Sequence, residues 1–217
     1  MSCDGIELLW TDPVARGGPR APFALGGGDK VWIAPQSDWP NAQPFAAFDL
    51  GAWAWDAELW QMRSPVEPLL GVSLVRRVSA TPEGLLVETR MEGTPTRPLG
   101  LWEVMQLRLP GLARFGVAEL ERAGEERDFA ASPRRVGGVS EVPANGDGPW
   151  KLSTTGPCAW VEAEVAGVRL RRETVDGPPG IAEAYDSERL GYWELELHSP
   201  VGERTHTELW TAEIVGD

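Results

Sequence analysis

Lysine, histidine and cysteine are nearly absent from this chain: Lys30 and Lys151 are its only lysines, and histidine and cysteine number 2 each in 217 residues. Cys3 and Cys158 stand far apart, without CxxC or Cys/His spacing, which excludes a disulfide framework and a cysteine-based zinc site. A reducing, cytoplasmic setting is the default expectation. No apolar run approaches the roughly 20 residues a membrane span needs, and Met1 leads into polar Ser2-Cys3-Asp4-Gly5 with no charged-then-apolar leader, so no membrane partner is expected. The net charge is −13, from 20 Lys+Arg against 33 Asp+Glu, and no basic stripe with interleaved aromatics offsets it. Such a field repels polyanions, and nucleic acid is set aside as a partner. Nucleophile elbows, P-loops, Rossmann glycines and HExxH helices are all missing; Gly26-Gly27-Gly28 precedes a strand rather than a helix, so it is no phosphate cradle. No metal or cofactor is called for by these patterns. Sustained i, i+3, i+4, i+7 apolar spacing is missing too, which leaves room only for short helices.

What the chain has in quantity is glycine (25), proline (19) and tryptophan (11). The first two suit many turns. A chain of this length buries roughly 70% of its unfolded surface and forms a core without disulfide or metal. Asp29 to Ala34 reads as a strand. Gly71 to Val78 and Leu85 to Met91 flank Thr81-Pro82-Glu83-Gly84 as a hairpin, and Leu99 to Leu109 and Phe115 to Leu120 continue the pattern. Glu121 to Gly148 is charged and turn-rich. Ala159 to Val165 and Val168 to Val175 predict a hairpin about Ala166-Gly167, and Tyr192 to His198 with Thr205 to Ile214 a third. Roughly a dozen closely spaced strands predict a single all-β sandwich domain over residues 1–217. Pro35 to Pro68 is long and irregular and reads as a functional loop.

Three constellations carry chemistry. Trp32, Trp39, Trp53, Trp55 and Trp60 fall within thirty residues, interspersed with Gln36, Asp38, Asn41, Asp49 and Asp56. Tryptophan covers the C–H face of a sugar while its N–H makes one directed hydrogen bond, so this is carbohydrate-site composition, although core filling is the commoner use of any single tryptophan. Second, strand alternation in Trp193 to His198 puts Glu194, Glu196 and His198 on one face. If that strand hairpins with Thr205 to Ile214, His198 meets His206 and Glu196 meets Glu208, a group able to do acid/base work or hold a divalent cation; the bland alternative is a solvated outer face. Third, Trp102-Glu103-Val104-Met105-Gln106 turns either Trp102 or Glu103 toward a pocket.

In order along the chain, Gly26 to Gln36, Trp102 to Gln106, Trp193 to Pro200 and Thr207-Glu208-Leu209-Trp210 resemble the aldose-epimerase-like branch of the galactose mutarotase-like proteins. The resemblance implies a β-supersandwich whose concave sheet holds a sugar. Fewer strands precede the glycine run than is usual in the family, either because the start is trimmed or because this is a reduced version. Mutarotases also use a mid-chain general-acid histidine and a late general-base glutamate, and here only the late His198 and His206 exist. The resulting expectation is a protein that binds a neutral carbohydrate through Trp32, Gln36, Trp39, Trp102, Glu103, Gln106 and Glu196. An aldose 1-epimerase-like enzyme using His198, His206 and Glu208 is the alternative, and a protein-interaction scaffold the second. A sugar phosphate would need a pocket gathering Lys30 with Arg76-Arg77, Arg134-Arg135 or Arg171-Arg172 against the acidic background.

Overall fold

The computed structural model describes residues 2–3, 6–7, 29–34, 54–107, 112–116, 120–122, 134–136, 138–143, 150–187 and 192–215. These residues form strands and connections, with no helix among them. In chain order the strands are β1 (Ser2–Cys3), β2 (Ile6–Glu7), β3 (Asp29–Ala34), β4 (Ala54–Asp56), β5 (Gln61–Arg63), β6 (Val72–Ala80), β7 (Leu85–Gly93), β8 (Gly100–Leu107) and β9 (Leu112–Phe115). They continue with β10 (Leu120–Arg122), β11 (Arg134–Val136), β12 (Val139–Pro143), β13 (Trp150–Thr154), β14 (Trp160–Val165), β15 (Val168–Asp176), β16 (Ala182–Ser187), β17 (Tyr192–His198) and β18 (Thr205–Ile214). Beside the small β1–β2 pair there are two sheets: six strands in the order β10-β13-β16-β17-β8-β3, and ten in the order β11-β12-β9-β14-β15-β18-β7-β6-β5-β4. Every pairing is antiparallel.

The local turn chemistry acts as the sequence predicts in two hairpins. β6 and β7 close over Thr81 and Gly84, whose main chains exchange hydrogen bonds of 2.8 and 3.3 Å. β14 and β15 close over Ala166 and Gly167, with φ of 50° and 79°. Positive φ at both central residues matches the right-handed twist of the flanking strands, and glycine carries one of the two without strain. The third expected hairpin does not form. β17 pairs with β16 and β8 in one sheet, whereas β18 pairs with β15 and β7 in the other. The 199–204 connection crosses between sheets instead: Ser199 and Gly202 donate to Leu101 and Leu99 carbonyls near the start of β8, and Arg204 bonds the end of β7.

The strands fall short of or exceed the predicted bounds where the pattern is weak. The charged 121–148 stretch contains β11 and β12. β4, β5, β13 and β16 are additional strands without an apolar run to announce them.

Two apolar clusters bond the sheets face to face. One joins Met105, Leu107, Leu195, Leu197, Ala182 and Ala184 of the six-stranded sheet to Phe115, Val161, Ala163 and Leu170 of the other. The second joins Val31, Ile33 and Leu101 to Val72, Leu74 and Met91. At roughly 25 cal/mol per Å² of apolar surface removed from water, this burial is the main driving force of the sandwich.

Between the clusters runs a seam of buried charge. Arg172 grips Glu208 with two parallel hydrogen bonds of 2.7 and 2.8 Å, and its third nitrogen donates to the Glu103 carbonyl at 3.3 Å. Glu208 also accepts from the Trp210 indole at 2.7 Å and contacts the His206 ring at 3.0 Å. Arg76 crosses the gap to the Glu103 carboxylate at 2.9 Å, so an ion pair ties one sheet to the other. Both guanidinium groups lie near the Trp210 ring, at 4.7 and 5.9 Å from its centroid. Burial by itself would raise the Glu208 pKa, but the Arg172 charge and the hydrogen bonds from His206 and Arg172 outweigh it and hold the carboxyl down at about 2.

Removing one member of a buried, hydrogen-bonded ion pair leaves the other charge uncompensated. Arg172→Met is therefore expected to cost about 3–5 kcal/mol, read as a lower urea midpoint at neutral pH with an unchanged m-value. A midpoint within error of wild type would show that the seam contributes nothing.

Because the folded-state pKa of Glu208 is depressed from 4.5 to about 2, its contribution is fully present above pH 4.5 and is lost as pH falls toward 2. Glu92 and Glu164, also lowered by hydrogen bonds from arginines, titrate in wild type and variant alike. The urea midpoint of wild type should thus fall more steeply over that window than that of Glu208→Gln; parallel curves would refute the assignment.

Candidate functional site

The alternation of side chains across β3, β8, β16 and β17 divides the predicted site residues between two environments. On β8, Leu101, Glu103 and Met105 face the ten-stranded sheet, as the apolar clusters and the Arg76–Glu103 pair require. Trp102, Val104 and Gln106 face the opposite way.

Cross-strand register fills this second face. Trp32 and His198 stand opposite Trp102 on its two sides, Lys30 and Glu196 flank Val104, Glu194 stands opposite Gln106, and Glu183 of β16 stands opposite Glu196. All of these side chains are buried. The solvated outer strand face that the alternation allowed is therefore not what forms.

Its geometry is specific. The His198 ring stacks on Trp102 with centroids 4.1 Å apart and planes inclined by 33°. His198 Nε2 lies 3.1 Å from Glu196 Oε2 and 3.8 Å from Glu183 Oε2. The Gln106 amide donates to Glu194 Oε1 at 2.7 Å. Lys30 Nζ sits 5.9 Å from the Trp32 ring centroid. Two tryptophans beside an imidazole, an amide and three carboxylates combine flat apolar surface with directed hydrogen-bonding groups.

A close backbone approach sets the register that brings Glu183 in. Gly180 donates to the His198 carbonyl at 3.0 Å, and the His198 amide donates to the Ile181 carbonyl at 3.0 Å. A Cβ on residue 180 would lie 2.4 Å from the His198 carbonyl oxygen. Only glycine lets β16 begin this close to β17.

The structure thus brings together Trp32, Trp102, Gln106, Glu196 and His198 and separates them from Glu103, His206 and Glu208, which belong to the seam between the sheets. His198 and His206 do not share a face, because their strands lie in different sheets. Trp39 and Gln36 lie outside the described residues, as does Trp53. Trp55 and Trp60 stand edge to face, 6.1 Å apart, near the β4 edge of the ten-stranded sheet, and are exposed. They are not part of this face.

Glu194 shares the face as the strand alternation predicts, Lys30, considered in the sequence only for a phosphate pocket, joins it, and Glu183 completes it without having been singled out from the sequence. For Glu183 a signal existed: Ala182-Glu183-Ala184 alternates small and charged residues, one residue after the Gly177-Pro178-Pro179-Gly180 turn signal. The small alanines hid the strand from a search for large apolar residues.

The face and the seam differ in their charged groups. In the seam two arginines balance two glutamates. On the face, among the described side chains, Glu183, Glu194 and Glu196 meet one lysine and one imidazole.

No family model matches the sequence, and no curated protein matches it. Solved structures do. The Slr1438 protein of Synechocystis sp. PCC 6803 aligns with a TM-score of 0.52 at 9% identity, covering 75% of this chain and 66% of that one, so this chain spans just under two thirds of its length. A galactose mutarotase-like protein from Clostridium acetobutylicum aligns with a TM-score of 0.55 at 9% identity, over 90% of this chain and 81% of that one. No helix among the described residues is long and apolar enough to cross a membrane. At this identity the likeness is one of architecture, and the two antiparallel sheets of this chain have the galactose mutarotase-like fold.

Proposed function

We propose that the chain, as one domain in the cytoplasm, binds a neutral carbohydrate on the face of the six-stranded sheet turned away from the ten-stranded one. The observation that carries the reading is the Trp102–His198 stack with Trp32 alongside, set among buried carboxylates and an amide. A sugar presents both an apolar C–H face and a ring of hydroxyls, and this face offers a partner for each. The resemblance and the fold point the same way, since the Clostridium acetobutylicum structure bears the description galactose mutarotase-like. The surplus of carboxylates disfavours a phosphorylated sugar.

A second reading is favoured by one contact. His198 and Glu196 form a buried imidazole–carboxylate pair at 3.1 Å, an arrangement suited to moving a proton to a ring oxygen and removing one from an anomeric hydroxyl. Aldose 1-epimerase chemistry would then use His198 and Glu196, with His206 and Glu208 left to the sheet interface.

Calorimetry and thermal unfolding with a panel of neutral aldoses and their phosphates test binding. One neutral sugar should stabilise the fold by about 2.7 kcal/mol at a hundredfold excess over its Kd, and Trp102→Ala should abolish that gain. No stabilisation by any sugar, or a preference for hexose phosphates that survives moderate salt, would overturn the reading. Polarimetry on the same aldoses separates the two readings. Catalysis predicts anomer interconversion above the buffer rate that falls by about 10²-fold or more in His198→Ala, whereas simple binding predicts the buffer rate for both proteins.

A further inference from the structure

We propose that Glu183, Glu196 and His198 form a site for one divalent transition-metal ion, with zinc the best match. The inference stands on the geometry of the three side chains and does not depend on sugar binding.

The donor atoms converge. One oxygen from each carboxylate and the His198 Nε2 all lie within 4.8 Å of one another. The two distances from Nε2, 3.1 Å to Glu196 and 3.8 Å to Glu183, bracket the ligand-to-ligand separation of about 3.3–3.6 Å that follows from tetrahedral zinc with bonds of about 2.0–2.2 Å.

As a ligand His198 is neutral, its Nε2 without a proton so that the lone pair faces the ion.

The scaffold is suited to it. Glu183 and Glu196 occupy directly opposed positions on adjacent strands, and His198 follows two residues along on the same side. The Trp102 ring against His198 fixes the imidazole plane. One nitrogen and two oxygens fit zinc better than calcium, which takes six to eight oxygens, or magnesium, which demands octahedral oxygen. Three protein donors leave a fourth position for water, the arrangement of a site that can engage a further ligand.

The test uses the full chain stripped with a chelator, with no sugar present, titrated with zinc chloride by calorimetry. One equivalent is expected to bind to wild type. Glu183→Gln and Glu196→Gln, each checked for folding by circular dichroism, should weaken that binding by about 100-fold or more, while the exposed hairpin variant Glu83→Gln should bind as wild type does. X-ray absorption of zinc-loaded wild type, which needs no variant, should show one imidazole in a shell of nitrogen and oxygen near 2.0 Å, roughly. Absence of stoichiometric binding to wild type, undiminished binding in both glutamine variants, or a zinc shell with sulfur or two imidazoles would each overturn the proposal. Since zinc is titrated alone, a failure to bind sugars leaves this result unaffected.

Discussion

The bidentate grip of Arg172 on Glu208 is the interaction around which the sandwich is arranged. It lies between two apolar clusters that would otherwise form one continuous core, and it is tied to the opposite sheet through the Glu103 carbonyl. A buried carboxylate is tolerable only with its lone pairs occupied, and here Arg172, His206 and Trp210 all contact Glu208. The Arg76–Glu103 pair adds a second crossing. Apolar contact is non-directional and allows one sheet to slide on the other, whereas the Arg76–Glu103 ion pair and the Arg172 hydrogen bond to the Glu103 carbonyl are directional and cross between the sheets. The seam therefore fixes the stacking register of the sheets while the apolar clusters supply the driving force.

That register has a consequence on the far side of β8. Because side chains alternate, fixing Glu103 toward the ten-stranded sheet fixes Trp102 and Gln106 away from it, beside Trp32, His198, Glu194 and Glu196. The inter-sheet seam and the candidate site are thus the two sides of one strand. They differ in the groups they carry: Arg76 and Arg172 with Glu103 and Glu208 on the inside and, among the described side chains, Glu183, Glu194 and Glu196 with Lys30 and His198 on the outside.

Tryptophan serves three separate purposes in this chain. Trp210 lies under the two arginines and donates to Glu208, Trp32 and Trp102 lie on the candidate face, and Trp55 and Trp60 meet edge to face on the exposed margin of the larger sheet. A high count of one residue type, met in sequence, does not distinguish these uses. Backbone environment does, since the same ring is a cation platform, a buried face or a surface feature according to what its strand neighbours are.

Much of the fold was legible in the sequence because it depends on local chemistry. β3, β17 and β18 have the predicted bounds, and the turns at Thr81–Gly84 and Ala166–Gly167 close as their residues require, since glycine and period-two alternation act within a few residues. The all-β character followed from the lack of any helical stripe. The alternation in β17 also assigned Glu194, Glu196 and His198 to one face, and the β8 segment was known to split Trp102 from Glu103. What the sequence could not decide was which sheet each strand joins. Adjacent in the chain and complementary in pattern, β17 and β18 look like a hairpin, yet β17 lies between β16, the strand just before it, and the distant β8, while β18 lies between β15 and the distant β7. His198 thereby meets Glu183 and Trp102 instead of His206. That choice rests on long-range pairing and on the Arg172–Glu208 seam, neither of which leaves a mark at short range, so the residue types of the site were written in the chain and their company was decided only by the tertiary structure.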